Sequence, residues 1–106
     1  MQVKAESIDR KLILHLRGEL DHHAARQLMQ RIARELEYAL PLETELDFSG
    51  VTFMDSSGIA VALHTMQQIK QLGGKMRIGN PSALVKKVFT AAGVQQLIEL
   101  EEGHEK

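Results

Sequence analysis

The sequence contains no cysteine and no tryptophan, and its aromatic residues are only three phenylalanines and one tyrosine. The absence of cysteine excludes disulfides, thiolate catalysis and cysteine-based metal sites. It is compatible with a reducing, cytoplasmic location. Because large aromatic side chains are few, the core must be built from leucine, isoleucine, valine, methionine and alanine.

Long hydrophobic runs are also missing. The longest, Ile59 to Leu63, is far shorter than the roughly 20 residues that span a bilayer. The N-terminal stretch MQVKAESIDRK has no apolar block, so we expect no signal peptide. A formal net charge of −1 gives no general attraction to nucleic acid or to anionic membranes, and we expect neither as a partner.

The composition is otherwise that of an ordinary globular protein. Hydrophobic residues make up 43% of the 106 residues and charged residues 25%, which is enough apolar material for one core. No repeat, low-complexity tract or Pro/Gly/Ser-rich linker interrupts the chain. We therefore expect a single domain over residues 1–106, located in the cytoplasm.

Hydrophobic periodicity predicts an alternation of strands and helices. The segments Gln2–Ile8 and Leu12–Leu16 are predicted to pair as a hairpin, with Val3, Ala5 and Ile8 of the first strand facing inward. The strongest helical pattern begins at Asp21, its expected N-cap, and stops at Pro41. Further predictions are strands over Glu43–Phe48 and Lys75–Ile78, helices that open at Asp55-Ser56 and at Asn80-Pro81-Ser82, a last short strand or turn containing Leu97, Ile98 and Leu100, and a solvated tail EEGHEK.

This order of elements predicts the fold class. Strands that alternate with helices imply parallel crossovers, while the initial hairpin adds an antiparallel pair. The prediction is an α/β fold with a mixed sheet of four or five strands and helices packed largely on one side.

The turn Asp55-Ser56-Ser57-Gly58 precedes a predicted helix. Serine and aspartate oxygens accept hydrogen bonds from the free amides of a first helical turn, so capping alone can explain them. A helix N-terminus also favours anions, so a phosphate on Ser56 would meet free amides there. The next residues are almost wholly apolar, which indicates either a partner interface or cover by neighbouring helices. Their predicted stripe is Ile59, Leu63, Met66 and Ile69, with Ala60 and Val61 at its margins.

Other chemistry is poorly supported. Asp21-His22-His23 lacks a spaced third ligand for a metal, and adjacent histidines point in different directions. The sequence MDSSG around Ser56 lacks the first glycine of a nucleophile elbow. Gly73-Gly74-Lys75 ends a predicted helix rather than opening one, so it is no phosphate loop. We expect no metal, no cofactor and no catalysis.

Three segments together resemble the STAS domain family: GELDHH at 18–23, DFSGV at 47–51 and FMDSSGI at 53–59. Their order and spacing are more specific than any one motif. They are most similar to the bacterial anti-sigma factor antagonists, and among these to the sporulation type. The resemblance covers nearly the whole chain, including Gly73-Gly74 and PSALVKKVF at 81–89.

The resemblance implies a partner-switching mechanism. The unphosphorylated antagonist binds an anti-sigma factor that is also a serine kinase, and this frees the sigma factor. The kinase, which binds the ATP, then phosphorylates the first serine of the Asp-Ser-Ser-Gly motif, here Ser56, and a serine phosphatase resets the protein. By the same resemblance the protein is not an enzyme, and the partner-binding residues around Ser56 are Asp21, Asp55, Ser57, Gly58 and Ile59.

Two alternatives remain open. A STAS module can serve another assembly, such as a stress-signalling or transport complex, without this switch. Asp-Ser at a helix start also marks phosphopantetheine attachment in carrier proteins. Carrier proteins are acidic helical bundles, however, whereas Leu12–Leu16 and Glu43–Phe48 have strand patterns.

Overall fold

The computed structural model describes residues 1–101, which form one five-stranded sheet, three α-helices and a short 3-10 helix. The predicted order of strands and helices is confirmed. The tail predicted to be solvated begins at Glu101, which is the end of the last strand, and residues 102–106 lie outside the described range. In chain order the elements are β1 (Gln2–Ile8), β2 (Lys11–Leu20), α1 (His22–Ala39), β3 (Glu43–Met54), α2 (Ser57–Gln71), β4 (Lys75–Gly79), α3 (Ala83–Ala91), the 3-10 helix (Val94–Gln96) and β5 (Glu99–Glu101).

The strands lie in the sheet in the same order as in the chain, β1-β2-β3-β4-β5. β1 and β2 are antiparallel, and each later neighbouring pair is parallel. Parallel neighbours need a crossover, and each of these pairs is joined through a helix. The predicted mixed sheet is therefore confirmed.

The core lies on one face of the sheet, under the helices. Leu12, Leu14 and Leu16 of β2 are at most 2% exposed, while the residues between them are only half-buried. This alternation follows from the two-residue period of a strand. Phe48 and Phe89 join strand and helix edge to face, with ring centroids 5.3 Å apart. α1 contributes Ala25, Leu28, Ile32 and Leu36 to the same core.

Charged side chains line the opposite face of the sheet. Arg77 Nε lies 3.2 Å from Glu45 Oε1 and 3.1 Å from Glu101 Oε1, so one guanidinium links three neighbouring strands. Lys11 Nζ approaches Glu45 at 4.0 Å from the other side. Apolar residues on one face and ion pairs on the other confirm that the helices pack largely on one side of the sheet.

Part of the predicted packing of β1 is wrong. Val3 packs partly against the core, but Ala5 and Ile8 are exposed. The reason is the position of β1 at the edge of the sheet, where the core ends. Within the described residues, no helix is long and apolar enough to cross a membrane.

α1 ends in a left-handed residue. Leu40 has φ 45° and ψ 56°, and its amide donates to the carbonyl of Leu36 at 2.9 Å. Pro41 follows and cannot continue the helix. A side chain with a β-carbon is disfavoured in this conformation, in which glycine is the preferred residue.

We expect Leu40→Gly to be more stable than Leu40→Ala by about 1 kcal/mol in free energy of unfolding. Both changes remove the same side chain, so the difference isolates the left-handed backbone. Leu42 is a matched control, because it is similarly exposed and lacks a positive φ. There alanine should be the more stable of the two. Urea denaturation of the four variants checks this, and the same order at both positions would contradict it.

Candidate functional site

The Asp-Ser-Ser-Gly turn lies at the carboxyl end of β3, beside the end of β2. The two strands are parallel, and Leu20 pairs with Met54 at their ends. The amide of Asp55 donates to the carbonyl of Leu20 at 3.3 Å. Asp21 and Asp55 directly follow these two strands. They therefore lie side by side at the carboxyl ends of the parallel strands, each at the start of a helix.

Two irregularities in β3 produce this alignment. The register of β3 on β2 shifts between His15 and Arg17, and again between Gly18 and Glu19. Each shift places one additional β3 residue against β2, as in a β-bulge. The sequence predicted a strand over Glu43–Phe48 only. That prediction is wrong, since β3 continues to Met54.

Asp21 and Asp55 each bind an amide of the helix that follows. Asp21 Oδ1 accepts from the Ala24 amide at 2.9 Å, so its prediction as the N-cap of α1 is confirmed. This hydrogen bond is the main reason that the pKa of Asp21 lies below its usual value. Asp55 Oδ1 accepts from the Ser57 amide at 2.8 Å. Both carboxylates are thus placed to satisfy free amides of a first helical turn.

Ser56 is exposed and occupies the N-cap position of α2, but its side chain makes no capping hydrogen bond. Its backbone is already helical, with φ −63° and ψ −14°, and its carbonyl accepts from the Ile59 amide at 3.1 Å. Capping therefore explains Asp55 and does not explain Ser56. The Ser56 hydroxyl is accessible to another protein.

Gly58 and Ser57 fix the start of α2 against the sheet. A β-carbon at Gly58 would overlap the side chain of Met54, which is itself buried. Glycine at this position therefore permits the close approach of helix and strand. Ser57 is half-buried, and its amide is held by Asp55.

The apolar stripe of α2 differs from the prediction. Ile59 and Leu63 are only half-buried, while Val61, predicted at the margin, is fully buried. α2 contacts α1 as well as the sheet, which rotates and widens its buried arc. Neighbouring elements thus cover most of the apolar surface beside Ser56, and Ile59 keeps partial exposure. The buried residues of α2 are Gly58, Val61, Ala62, Thr65, Met66 and Ile69.

Phe53 is a residue at this site for which no role was predicted from the sequence. It lies on β3 two positions before Asp55 and is 44% exposed. Exposed aromatic residues are enriched at protein interfaces. The available signal was its place in the apolar segment directly before the Asp-Ser-Ser-Gly turn, but the bulges hide which face a β3 residue occupies. Phe53 and Ile59 bracket the Asp-Ser-Ser turn with partly exposed apolar side chains.

Two adjacent histidines follow Asp21, the N-cap of α1. His22 and His23 are exposed at the start of α1. Over residues 1–101, no three histidine, aspartate or glutamate side chains are arranged so that they could share a metal ion. The coulombic contribution of His23 to the lowered pKa of Asp21 is secondary to that of the Ala24 hydrogen bond.

Asp47, in the DFSGV segment, is the centre of a second polar cluster. His15 Nδ1 lies 2.7 Å from Asp47 Oδ2, and His15 Nε2 lies 3.0 Å from Glu6 Oε1. Asp47 Oδ1 accepts from the Ser49 amide at 3.0 Å and from Asn80 Nδ2 at 3.1 Å. This motif residue therefore joins the first three strands to the connection between β4 and α3.

The protonation states in this cluster reinforce one another. Burial raises the pKa of Asp47, but the hydrogen bonds from Ser49, His15 and Asn80 outweigh burial and hold the pKa below its usual value. The hydrogen bond to Glu6, and next the one to Asp47, raises the pKa of His15 above 6.5. The imidazolium can donate from both ring nitrogens, so the charged form of His15 is the stabilised one.

Comparison with known proteins identifies the family. The sequence model of the STAS domain family matches residues 2–106 of this chain. The chain belongs to the STAS family. Within it, the anti-sigma F factor antagonist of Lysinibacillus sphaericus is 32% identical over 95 residues, which are 89% of this chain and 81% of that protein. The resemblance of the three motif segments to the anti-sigma factor antagonists is thereby confirmed.

Solved structures confirm the STAS fold. The anti-sigma factor antagonist SpoIIAA in its unphosphorylated form has a TM-score of 0.82 and 30% identity, covering 98% of this chain and 90% of that one. SpoIIAA of Bacillus in its phosphorylated form has a TM-score of 0.74 and 28% identity, with coverage of 98% and 93%. This chain therefore has the same fold as both forms of SpoIIAA.

The different roles of Asp55 and Ser56 lead to a test of stability. Asp55→Ala should lower the free energy of unfolding by about 1 kcal/mol, because an amide of α2 loses its acceptor. Ser56→Ala should change it by less than about 0.5 kcal/mol, because no capping bond is lost. Asp21→Ala, at the corresponding cap of α1, is the positive control. Equal losses for Asp55→Ala and Ser56→Ala in urea denaturation would show that the serine hydroxyl also caps.

The His15 cluster should make stability depend on pH. Since the pKa of His15 is raised in the folded state, its contribution is complete below about 6.5 and is lost as the pH rises through the folded value. Stability measured from pH 5.5 to 8.5 should therefore fall across this window in the native sequence, and the fall should be smaller in His15→Gln. His64→Gln, at an exposed position of α2, is the control and should retain it. A fall of the same size in His15→Gln would contradict the assignment.

Proposed function

We propose that the protein is an anti-sigma factor antagonist that works by partner switching, with Ser56 as its phosphoacceptor. The unphosphorylated form binds an anti-sigma factor that is also a serine kinase, and the sigma factor is released. The kinase transfers phosphate from its bound ATP to Ser56, and the complex separates. A serine phosphatase restores the binding form. In this scheme the protein is a cytoplasmic kinase substrate of the sporulation type and needs no cofactor.

The observation that carries this proposal is the exposed Ser56 hydroxyl, which takes no part in capping its helix. Because Asp55 binds the Ser57 amide, modification of Ser56 breaks no capping hydrogen bond within the chain. The position lies at the N-terminus of α2, where the helix dipole favours an anion. The amides of Ser57, Gly58 and Ile59 already have acceptors within the turn, so the expected contact of a phosphate with free amides there is replaced by the dipole alone. Phosphorylation therefore leaves the domain folded and acts on the complex instead.

The surface around Ser56 has the composition of a protein interface. Phe53 and Ile59 offer partly exposed apolar groups, while Asp21 and Asp55 offer negative charges at the same ends of the strands. Ser57 and the glycine that packs on Met54 hold the turn in place. The proposed partner-binding residues are accordingly Asp21, Asp55, Ser57 and Ile59, together with Phe53. Gly58, predicted with them, is buried, and its proposed role is to let the turn pack on Met54.

A phosphate at this surface would oppose binding in two ways. It adds about −1.5 to −2 charges, which must be desolvated on complex formation. Asp55 is directly adjacent in sequence and supplies negative charge of its own. A loss of only about 3 kcal/mol in binding free energy weakens affinity more than a hundredfold, at about 1.4 kcal/mol per factor of ten. No large rearrangement of the domain is required.

The relatives support the proposal. SpoIIAA, an anti-sigma factor antagonist, has structures in unphosphorylated and phosphorylated forms, and both match this chain over nearly its whole length. Phosphorylation of a protein with this fold is therefore compatible with an intact domain.

Mass spectrometry is the decisive experiment. Incubation with a kinase anti-sigma factor and ATP should add one phosphate, located on Ser56 by fragmentation. Ser56→Ala should bind the kinase as the native protein does, because the hydroxyl is not required for folding. It should take up no phosphate, and it should stay bound when ATP is added. Surface plasmon resonance in the presence of ADP or ATP measures the binding.

Ser57→Ala is the matched control for the site of modification. It removes the neighbouring hydroxyl but keeps the amide that binds Asp55, so Ser56 should still be phosphorylated and the complex still released by ATP, even where Ser57→Ala binds more weakly. Phosphate on Ser57, or release of Ser56→Ala by ATP, would contradict the assignment of Ser56. If the native protein binds no kinase anti-sigma factor, the result would favour a STAS module that serves another assembly.

A further inference from the structure

β1 presents a free edge of the sheet. Within residues 1–101 it pairs only with β2, and six of its seven residues are exposed. The outer backbone groups of an edge strand are a template for another strand. The question is therefore which strand would fit this edge.

The hairpin turn determines which backbone groups face outward. Asp9 and Arg10 have φ of 51° and 65°, as in the type I′ turn of a two-residue hairpin. In such a hairpin the flanking residues, Ile8 and Lys11, form a hydrogen-bonded pair, and these pairs alternate along the ladder. The amides and carbonyls that point away from β2 are therefore those of Val3, Ala5 and Ser7.

The side chains of β1 are complementary in charge to a second copy of the strand. Lys4 and Glu6 flank Ala5 and share the face of the sheet that carries the ion pairs. In an antiparallel pair centred on Ala5, Lys4 of each copy stands opposite Glu6 of the other. This is a non-hydrogen-bonded position, where Cβ atoms approach to about 4.5–5.5 Å. A two-fold axis forms the ion pair twice.

Neighbouring registers do not pair these charges. A pair centred on Lys4 or on Glu6 places like charges opposite each other. A pair centred on Val3 or Ser7 leaves both charged residues without an opposite charge. Only the register centred on Ala5 also aligns the outward groups of Val3 with those of Ser7, which permits about six backbone hydrogen bonds.

We propose that two copies of this chain associate through β1, antiparallel and centred on Ala5, so that their sheets become continuous. The contact of Glu6 with His15 uses Oε1, and a carboxylate accepts further bonds through its second oxygen. β1 is an edge strand, whereas Ser56 follows the central strand β3. The inference therefore stands independently of the proposed switch.

Sedimentation equilibrium from about 10 µM to about 1 mM, the range of weak interfaces, tests the association. The native protein should show a monomer–dimer equilibrium. Lys4→Glu and Glu6→Lys should each weaken it about tenfold or more, because each turns two attractions into repulsions. An equal mixture of the two variants should associate more strongly than either alone, because opposite charges face each other again.

Two further measurements locate the interface. Ala5→Pro removes an outward amide without touching the pairing to β2, and it should abolish association. Amides of Val3, Ala5 and Ser7 should gain protection from hydrogen exchange as concentration rises. Lys87→Glu, at an exposed position of α3, makes the same charge change and should leave association unchanged. A protein that stays monomeric to about 1 mM, or a dimer that persists in Ala5→Pro, would overturn the proposal.

Discussion

The parallel pairing of β2 with β3 is the constraint on which the rest of the structure depends. It runs from Lys11 opposite Glu43 to Leu20 opposite Met54, through two places where β3 contains an additional residue. Those two residues bring the ends of the strands level, so that the amide of Asp55 reaches the carbonyl of Leu20. The starts of α1 and α2 are thereby placed side by side. The same pairing aligns His15 with Asp47 on the charged face.

At the carboxyl ends of these strands, the two residues that precede α2 have separate roles. Asp55 satisfies an amide of the helix, while Ser56 holds the N-cap position with its hydroxyl exposed. A residue that capped the helix could not be modified without loss of that bond. Separation of capping from exposure lets the serine change its charge while the helix keeps its start. This is the physical basis on which we place the proposed phosphoacceptor at Ser56.

Much of the fold could be predicted from local patterns. The alternating leucines of β2, the capping residue Asp21 and the amphipathic α1 need no knowledge of distant neighbours, and their predictions are confirmed. The continuation of β3 beyond Phe48 could not be predicted, because a bulge depends on the partner strand. The burial of Val61 depends on where α1 lies, and the contact of His15 with Asp47 joins residues 32 positions apart. The roles of the residues around Ser56 stay predictions, since geometry places them together without naming their partner.

The parallel crossovers have an electrostatic consequence for the whole molecule. α1, α2 and α3 each follow one of the parallel strands, so the N-termini of all three helices lie at the carboxyl ends of these strands. Their helix dipoles therefore point the same way. Each contributes roughly half a positive charge at that end. The domain is therefore polarised along the strand direction although its formal net charge is only −1. An anion at the end of the sheet that contains Ser56 lies in the summed field of three helix N-termini. The same anion at the other end of the strands would face three helix C-termini with their free carbonyl groups.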